Sequence, residues 1–562
     1  MTPAALANAA VATDAMTDVL IIGSGAGGGA LALALAEAGH EVVVLEKGPE
    51  YRREDYSHDE VDMTRRDFWT PSPAEEPHLL AVQGGRFAKP TTLGWVGSCV
   101  GGGTVRMGGY LYRFHPDEMA LASRCGSYEA IVDWPYGYDE LEPYYTRAEW
   151  ALGVAGDADA NPFDGPRSRP YPLPPLDAHP LAEHLEQACT RLGSTAFPTP
   201  RAVCSQPWQG RPACSYCGMC AGYGCQTGAK GSAQETLIAR ARRTENCRVV
   251  PHAMVFEVTV GADGRATGCL YFDAEGRERR VRAKVVCVCC SAVESARLLL
   301  MSTSSLFPNG LANDNGLIGR NLQFHGFSSG RGMFRHGHHP TLPLRDSHPF
   351  LGRSVMDHYW LPDGVSDLPR GGLIRFGFPD PSPISFALRA AVRNGRMAWG
   401  SELKRRLDES FNAVRTIDFE VFHDFVPNDD TFVELDATVR DKWGLPVARM
   451  HLREPEHHRR AGRWLVTRGL EMLEAMGADE VIADEIGATA GILVHGTCRA
   501  GDDPATSVLD ASCRAHAVPN LYVVDGSFMP TCGGAPPTLT IVANGFRTAD
   551  HIARRARTGE LA

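Results

Sequence analysis

The feature that most constrains this chain is a glycine-rich turn between two apolar segments near its start. Residues 19–22 are all aliphatic and run straight into the glycine turn 23–28. A stretch rich in alanine and leucine, 30–39, follows, and a second apolar segment, 41–45, ends at Glu46. The order of strand, turn, helix and strand is that of a βαβ unit that binds a dinucleotide.

Each glycine of the turn has a separate predicted task. Gly23 allows the tight turn, Gly25 lets the backbone approach a pyrophosphate, and Gly28 lets the helix pack close to the strand. The helix N-terminus offers free N–H groups and a partial positive charge to the phosphates. Glu46 is placed to accept a hydrogen bond from a ribose hydroxyl. The alternative is a glycine turn with a purely structural role.

Size and composition predict a globular protein of more than one domain. The chain has 562 residues, of which 43% are hydrophobic and 22% charged, and its net charge is −11. The negative charge argues against nucleic acid and anionic membranes as partners. No apolar run approaches the roughly 20 residues that cross a bilayer. Residues 1–15 are interpreted as a disordered leader without the basic start of a signal peptide, so we expect a cytoplasmic protein.

Four blocks of sequence occur in an order that is specific to one family. The glycine turn with Glu46 comes first, and the glycine-dense loop 100–113 comes second. Residues 291–299 form the third block, and residues 496–501 with 520–541 form the fourth. Together they resemble the glucose–methanol–choline (GMC) oxidoreductases, a family of FAD enzymes. The resemblance implies an α/β protein with a Rossmann-type FAD-binding domain and a discontinuous substrate-binding domain of β-sheet and helices.

By this resemblance, both domains are assembled from separate stretches of the chain. We expect three parts of the FAD-binding domain, at 16–125, 205–327 and 489–562, the last of which carries the active-site segment. Residues 328–488 would form the substrate-binding domain, and residues 126–204 would be a substrate-domain or linker segment.

The resemblance also implies which residues bind FAD. The implied set is Gly23, Gly25 and Gly28 at the pyrophosphate, Glu46 at the adenosine ribose, Gly102 and Gly103 beside the flavin, the backbone of Val255 at the adenine, and Asp525 with Thr538 near the ribityl and pyrophosphate groups. Some family members attach FAD through a histidine in the glycine-dense loop. Arg106 holds that place here, so we predict that FAD is bound non-covalently.

The family's catalytic pair is missing from its usual positions. Oxidation of an alcohol needs a base that takes the hydroxyl proton while hydride leaves carbon, and a histidine suits that role. The family places the histidine three residues before a Gly-Thr pair and a histidine or asparagine about 40 residues later. Leu493 and Pro536 occupy these positions here, and neither can move a proton.

His495 is the candidate replacement for the missing base. In an extended segment, residues 493 and 495 would point to the same face, so a base displaced by two residues could still face the flavin. The alternatives are that His495 is a packed, hydrogen-bonded histidine without a catalytic role, or that it binds substrate.

A cysteine block predicts a further cofactor. Four thiols, Cys214, Cys217, Cys220 and Cys225, lie within twelve residues. Thiolates at such spacing suit an iron–sulfur cluster or zinc, and an unmetallated turn is the third alternative. The block loosely resembles the cysteine group that holds a three-iron cluster in membrane-linked sugar dehydrogenases of the family. A cluster would pass electrons from FAD to a partner.

Taken together, these patterns favour an FAD-dependent oxidoreductase that transfers hydride from a CH–OH group to flavin N5. The resemblance implies a sugar, polyol or other alcohol as substrate, and a dehydrogenase more than an oxidase. It also allows an electron-acceptor protein or a small partner subunit, with periplasmic location by co-export as the alternative to the cytoplasm. Two other functions stay open. One is an unusual oxidation, desaturation or isomerisation without the His/Asn pair, and the other is an inactive flavin-binding subunit.

Overall fold

The glycine turn follows the C-terminal end of Met16–Ile22, an interior strand of a large sheet. In the computed structural model the chain is described from Met16 to Leu561, apart from residues 65, 83–86 and 394; the predicted leader, 1–15, lies outside the described residues. Val19–Ile22 and Val42–Leu45 are buried throughout, as expected for parallel strands covered on both sides. The helix Ala26–Glu37, which joins these two strands, is buried along most of its length.

This large sheet contains seven strands within the described residues. Four of them are parallel neighbours, in the order Cys247–Val250, Val42–Leu45, Met16–Ile22 and Glu278–Val288. Leu521–Val523 also pairs in parallel with Glu278–Val288, whereas Ala266–Phe272 and Met254–Val260 continue the sheet in antiparallel fashion. The strand order is that of a Rossmann-type domain, in which ligands bind beyond the carboxyl ends of the strands.

A second, antiparallel sheet stands opposite. Its order is Glu480–His495, Gln323–Arg335, Val414–His423, Gly372–Gly377, Arg353–Val355 and Ala196–Pro198. The helices Glu456–Met476 and Leu181–Arg191 pack on one face of it and share a buried apolar core with its strands. The other face looks toward the glycine turn, which places a covered sheet opposite the nucleotide fold.

Smaller elements complete the chain. A four-stranded sheet contains Phe432–Arg440, Pro446–Leu452, His78–Val82 and Lys89–Thr91, and a hairpin contains Val392–Arg393 and Arg396–Met397. The remaining α-helices are Glu60–Thr64, Arg66–Trp69, Leu121–Cys125, Tyr138–Leu152, Ala239–Arg243, Ala292–Met301, Pro383–Ala391, Gly400–Asp408 and Thr538–Arg557.

The predicted segment borders can be compared with these strands. The border at 327/328 falls inside the strand Gln323–Arg335, and the border at 488/489 falls inside Glu480–His495. Each predicted border therefore divides a strand whose two parts belong to the same antiparallel sheet. The division of the chain into two domains stays a prediction, and its borders need to avoid these two strands.

Candidate active site

A cavity of about 530 Å³ lies between the two sheets. One side, which we call the glycine wall, consists of residues 23–27, 102–104 and 106–109. The other side, which we call the strand wall, consists of Phe327, Glu420 and Phe422 with residues 490 and 492–494. The cavity begins at the carboxyl ends of the parallel strands, which is where an open α/β sheet binds its ligand.

The structure brings the predicted cofactor residues together around this cavity, with one exception. The residues that line it are Gly23, Gly25, Glu46, Gly102, Gly103, Val255, Asp525 and Thr538. Gly28 does not line it. A Cβ atom on Gly28 would lie 2.0 Å from the carbonyl oxygen of Gly23, so this glycine serves the packing of the helix against the turn.

Gly25 is a glycine for a different reason. A Cβ atom there would find no protein atom closer than the Cα of Gly102, at 4.0 Å. The same atom on neighbouring Gly27 would lie 1.6 Å from the carbonyl oxygen of Val524. The protein's own packing therefore does not require glycine at position 25, and the space in front of it belongs to the cavity. Room of this kind fits a pyrophosphate that approaches the backbone closely.

The helix that starts after Gly25 presents its N-terminus to the same space. Gly25 is the N-cap residue and has no side chain to cap the free N–H groups of the first turn of Ala26–Glu37. Uncapped N–H groups and the positive end of the helix dipole suit an anion such as a phosphate. These observations fit a dinucleotide with its phosphates at the glycine wall.

Glu46 is buried and organises the glycine turn. Its Oε2 accepts hydrogen bonds from the backbone N–H and the hydroxyl of Ser24, and its Oε1 accepts one from the N–H of Gly48 at 3.0 Å. Burial raises the pKa of this carboxyl, and the bonds from Gly48 and Ser24 oppose that rise. Oε1 accepts only the bond from Gly48 and keeps a second lone pair, so the position is compatible with the predicted ribose contact.

Asp525 and Thr538 lie where two chain segments meet the cavity. The Asp525 carboxylate accepts hydrogen bonds from the N–H of Ser291 at 2.9 Å, from the Ser295 hydroxyl at 2.5 Å and from Ser527. Burial raises its pKa. Thr538 is the first residue of the helix Thr538–Arg557, so a second helix N-terminus faces the cavity.

Comparison with known proteins agrees with this geometry. The sequence profile described as GMC oxidoreductase matches residues 17–327 with its N-terminal part and residues 427–545 with its C-terminal part. The chain belongs to the GMC oxidoreductases. Members of this family bind FAD, and the glycine wall described above has the free backbone N–H groups and the open space that such a cofactor needs.

Relatives match over almost the whole chain. Paromamine 6'-oxidase from Streptomyces fradiae is 32% identical and covers 96% of this chain and 92% of its own length. The 2-methyl-1,2-propanediol dehydrogenase of Mycolicibacterium austroafricanum is 30% identical and covers 96% and 95%. The fold of formate oxidase from Aspergillus oryzae, in a structure that concerns modification of its FAD, matches with a TM-score of 0.63 at 15% identity, over 98% and 100% of the two chains.

The positions of the usual GMC catalytic pair do face the cavity. Leu493 and Pro536 both line it, as the sequence pattern predicts for these two places. Leu493 also packs against the buried apolar cluster that contains Phe422. The cavity is therefore apolar at the two positions where the family usually has polar side chains.

His495 does not line the cavity, contrary to the expectation that it shares a face with Leu493. Its side chain is fully buried, and its ring packs against that of His325 at 4.9 Å between centroids. The reason is a β-bulge: Phe324 pairs with Val494 while His325 pairs with Ala490, so residues 491–493 have no pairing partner on the strand Gln323–Arg335 and the alternation of side chains is interrupted. Extended geometry alone could not reveal this interruption.

The environment of His495 keeps its imidazole neutral. Burial lowers its pKa well below the ordinary value, and the neighbouring His325 lowers it further. Within the described part of the chain, neither ring nitrogen of His495 has a hydrogen-bond partner. The hydrogen-bonded state assumed for a merely packed histidine is therefore absent among these residues.

The four cysteines of the block do not fit a metal centre. Among the residues that the structure describes, no group of three or more His, Cys, Asp or Glu side chains is placed to hold a metal ion. Cys217 is exposed, Cys220 is buried, and Cys214 and Cys225 are partly buried. Converging thiolates are what a cluster needs, so the predicted cluster has no support in this arrangement.

A buried lysine organises the cysteine block instead. Lys230 Nζ donates to the carbonyl oxygens of Met107, Cys220 and Tyr223 at 3.0, 2.8 and 2.7 Å. Burial lowers its pKa to about 8. Burial opposes ionisation of Cys225, but the Thr227 hydroxyl and the ammonium group outweigh it and lower the pKa of the thiol. Because Met107 belongs to the glycine wall, this lysine ties the block to the cofactor side of the cavity.

Sequence reasoning missed Phe327, Glu420 and Phe422 of the strand wall. Phe327 and Phe422 pair directly across two strands, with 5.8 Å between ring centroids, and Glu420 lies two residues before Phe422. The alternating segment 418–422 contains the signal, since an acid and an aromatic residue at spacing two must share a face. Which face the cavity would use could not be read from that pattern.

No helix in the described residues is both long and apolar enough to cross a bilayer.

Proposed function

We propose that this GMC oxidoreductase oxidises a CH–OH group of a sugar, polyol or other alcohol, with FAD as hydride acceptor. The observation that carries the proposal is the shared cavity, because the glycine wall fits the cofactor and the strand wall faces it across the same space. When bound, FAD supplies a flavin that takes up hydride at N5. The names of two relatives at 30% identity or more point to hydroxylated substrates, which supports the same class here.

The residues of this chain would hold the cofactor without a covalent bond. Gly25 and the helix that follows it would bind the pyrophosphate, and Glu46 would accept a hydrogen bond from the ribose. Arg106 lines the cavity at the place where some family members have the attaching histidine. A guanidinium group is not a nucleophile, which supports non-covalent binding.

His495 is the proposed proton acceptor. Its neutral imidazole has lone-pair capacity for a proton at neutral pH, but the pKa lowered by burial and by His325 makes it a weaker base than a histidine with a pKa near neutrality. Its two ring nitrogens have no hydrogen-bond partner among the described residues, so neither is already committed. Since Leu493 lines the cavity and His495 does not, the proton has to pass the strand wall to reach the imidazole.

A second candidate function is favoured by the same wall. Leu493 and Pro536 make the two usual catalytic positions apolar, which suits an oxidation, desaturation or isomerisation that needs no His/Asn pair. The two candidates differ in one measurable respect. Alcohol oxidation depends on removal of a hydroxyl proton, and the alternative does not.

For the electron acceptor and the cellular location, two alternatives each stay open. A dehydrogenase that passes electrons to a protein or small partner subunit was favoured by the cysteine block, and that support weakens because the four cysteines do not converge. The relatives include both an oxidase and a dehydrogenase. Comparing oxygen consumption with dye reduction decides between them. A cytoplasmic location, or a periplasmic one by co-export with a partner, stays a prediction.

One experiment tests the proposed function as a whole. The purified protein should have the absorption bands of a flavin, and acid precipitation should release free FAD. Under anaerobic conditions, a sugar, polyol or simple alcohol should bleach those bands. A protein that folds without FAD and refuses added FAD would contradict the proposal, and FAD that no donor bleaches would indicate an inactive flavin-binding subunit.

A further inference from the structure

The cavity has four lining carboxylates within the described residues, and in three of them both oxygens accept a hydrogen bond from the protein. Glu46 is bonded by Ser24 and Gly48. Glu294 is bonded by His78 and Arg297 through different oxygens. Both oxygens of Asp525 also accept hydrogen bonds. These three carboxylates belong to the large-sheet side of the cavity and maintain its shape.

Glu420 differs from all three. It extends from the antiparallel sheet, where it lies opposite Arg375 on one neighbouring strand and Ser329 on the other. Two nitrogens of Arg375, Nε and Nη2, both contact the same oxygen, Oε2, at 2.8 and 2.7 Å. Oε1 has no hydrogen-bond partner in the described part of the chain, although Glu420 lines the cavity.

Arg375 fixes this carboxylate in place. Its guanidinium group is mostly buried and lies over the ring of Tyr110 at 4.2 Å, and Tyr110 also lines the cavity. A planar guanidinium held on an aromatic ring loses little further freedom when it binds a carboxylate. Glu420 is therefore presented with one oxygen anchored and the other available.

The surroundings indicate the chemistry of the group that Oε1 would accept from. Arg375 neutralises the charge of Glu420, so the site does not select for a cation by net charge. Phe327 and Phe422 lie on the same wall and offer apolar faces. A carboxylate oxygen beside aromatic rings suits a ligand with hydroxyl groups on one side and C–H groups on the other.

We propose that Glu420 is a substrate-recognition residue that accepts a hydrogen bond from a second hydroxyl of a neutral sugar or polyol. This proposal rests on the proposed function, because it concerns the substrate of the same cavity. The reacting hydroxyl would lie toward the flavin side, and the hydroxyl bound by Glu420 would orient the ligand. Glu420 then determines a preference for polyhydroxylated alcohols over simple ones.

The test uses the FAD-loaded enzyme and two probes. Glucose carries further hydroxyls, and 1-hexanol has one hydroxyl. The variants are E420L, which removes the acceptor, and E420Q, which keeps an acceptor oxygen but no charge. E434Q is the matched control, since Glu434 is a carboxylate on a different sheet that bonds His451 and does not line the cavity. FAD content is measured for each variant.

We expect E420L to raise the Kd and the KM for glucose by roughly 10- to 100-fold, the loss typical of a hydrogen bond to a charged group. E420Q should have an intermediate effect. Values for 1-hexanol, FAD content and all values for E434Q should change less than about 2-fold, within the range of a neutral surface substitution. Binding is read from the perturbation of the flavin spectrum and reduction from its bleaching.

Several results would overturn this inference. Equal losses for glucose and 1-hexanol would mean that Glu420 supports the cavity in general. A collapse of the saturated reduction rate in E420Q, with loss of its pH dependence, would make Glu420 the base. A much larger loss for glucosamine than for glucose would indicate recognition of an ammonium group. Failure of glucose to perturb the wild-type flavin spectrum would also reject it.

The proposed function can fail separately. If glucose perturbs the flavin spectrum of the wild type and not that of E420L, yet no donor bleaches the flavin, the recognition residue stands and the oxidation does not.

Discussion

The two walls of the cavity are built in different ways. The glycine wall is mostly backbone, and the carboxylates near it are tied to protein donors. The strand wall is made of side chains from strands far apart in sequence, and one oxygen of its carboxylate accepts no hydrogen bond from the described residues. The difference shows that the cofactor side depends on where the backbone leaves room for a ligand to approach it. The substrate side depends on which side chains the pairing of distant strands brings together.

The largest expected effect is on folding and FAD binding, and it distinguishes Gly25, which lines the cavity, from Gly28, which lies in the same turn but does not line it. G28A should prevent folding or cost at least about 3 kcal/mol, because a Cβ there would overlap the carbonyl oxygen of Gly23. G25A should fold with nearly unchanged thermal stability without FAD, since the added carbon meets only open space, but should bind FAD much more weakly. Thermal melts and FAD titration measure both; tight FAD binding by G25A would refute the assignment of its space to the cofactor.

The next effect tests what lies behind the strand wall. H495A should reduce the rate of anaerobic flavin bleaching by about 100- to 10,000-fold, the usual contribution of a general base. FAD should stay bound, because His495 does not line the cavity. L493A is the matched control, since it opens the wall without removing a base. An undiminished bleaching rate in H495A would favour the reaction without a His/Asn pair.

The third prediction concerns the stability of the folded protein at acidic pH, which depends on the buried histidines behind the strand wall. Burial lowers the pKa of His325 to about 4, although the carbonyl of Ala535 and the nearby Asp424 oppose this. Below the ordinary pKa of 6.5 the unfolded chain takes up a proton that the folded protein refuses. Stability is therefore lost as pH falls from 6.5 toward 4, by about 3 kcal/mol for this residue.

The measurement is the melting temperature as a function of pH. H325Q should make the loss between pH 6.5 and pH 4 shallower than in the wild type, whereas the same change at the exposed His58 should not. Identical pH profiles for H325Q and the wild type would show that His325 is protonated equally in the folded and unfolded chain.

The smallest expected effects concern the cysteine block behind the glycine wall. C217A should leave FAD content and melting temperature nearly unchanged, because Cys217 is exposed and no metal-binding group forms among the described residues. K230M should lower both, since it leaves three carbonyl oxygens without their donor. Iron and zinc contents are also measured. Stoichiometric metal in the wild type that is lost in C217A would contradict this expectation and support the predicted metal site.

Much of the cofactor side was predictable from sequence because its signals are local. The glycines of the turn and Glu46 lie within one βαβ unit, so their spacing carries the geometry. Gly102, Gly103, Val255, Asp525 and Thr538 came from the family resemblance, and each of them lines the cavity. Gly28 was assigned to the pyrophosphate by resemblance, but its role in helix packing followed from the residues themselves.

The substrate side was predictable only in part. Leu493 and Pro536, which the resemblance places at the catalytic positions, line the cavity, whereas His495 does not line it, because a bulge between paired strands changes the alternation of side chains. The cysteine spacing suggested converging thiolates, but the loop closes around the ammonium group of Lys230. Bulges and buried ion contacts depend on partners that are distant in the chain.

The sequence by itself determined the nucleotide fold, the family and the absence of the usual catalytic pair. Each of these can be recognised from residues that are close together in the chain or at fixed positions of a family motif. The tertiary structure alone decided that Glu420 faces the cavity with a free oxygen and that His495 lies behind it. The physical reason is that a glycine turn folds through its own backbone, whereas the direction of a strand side chain depends on the register with its neighbours.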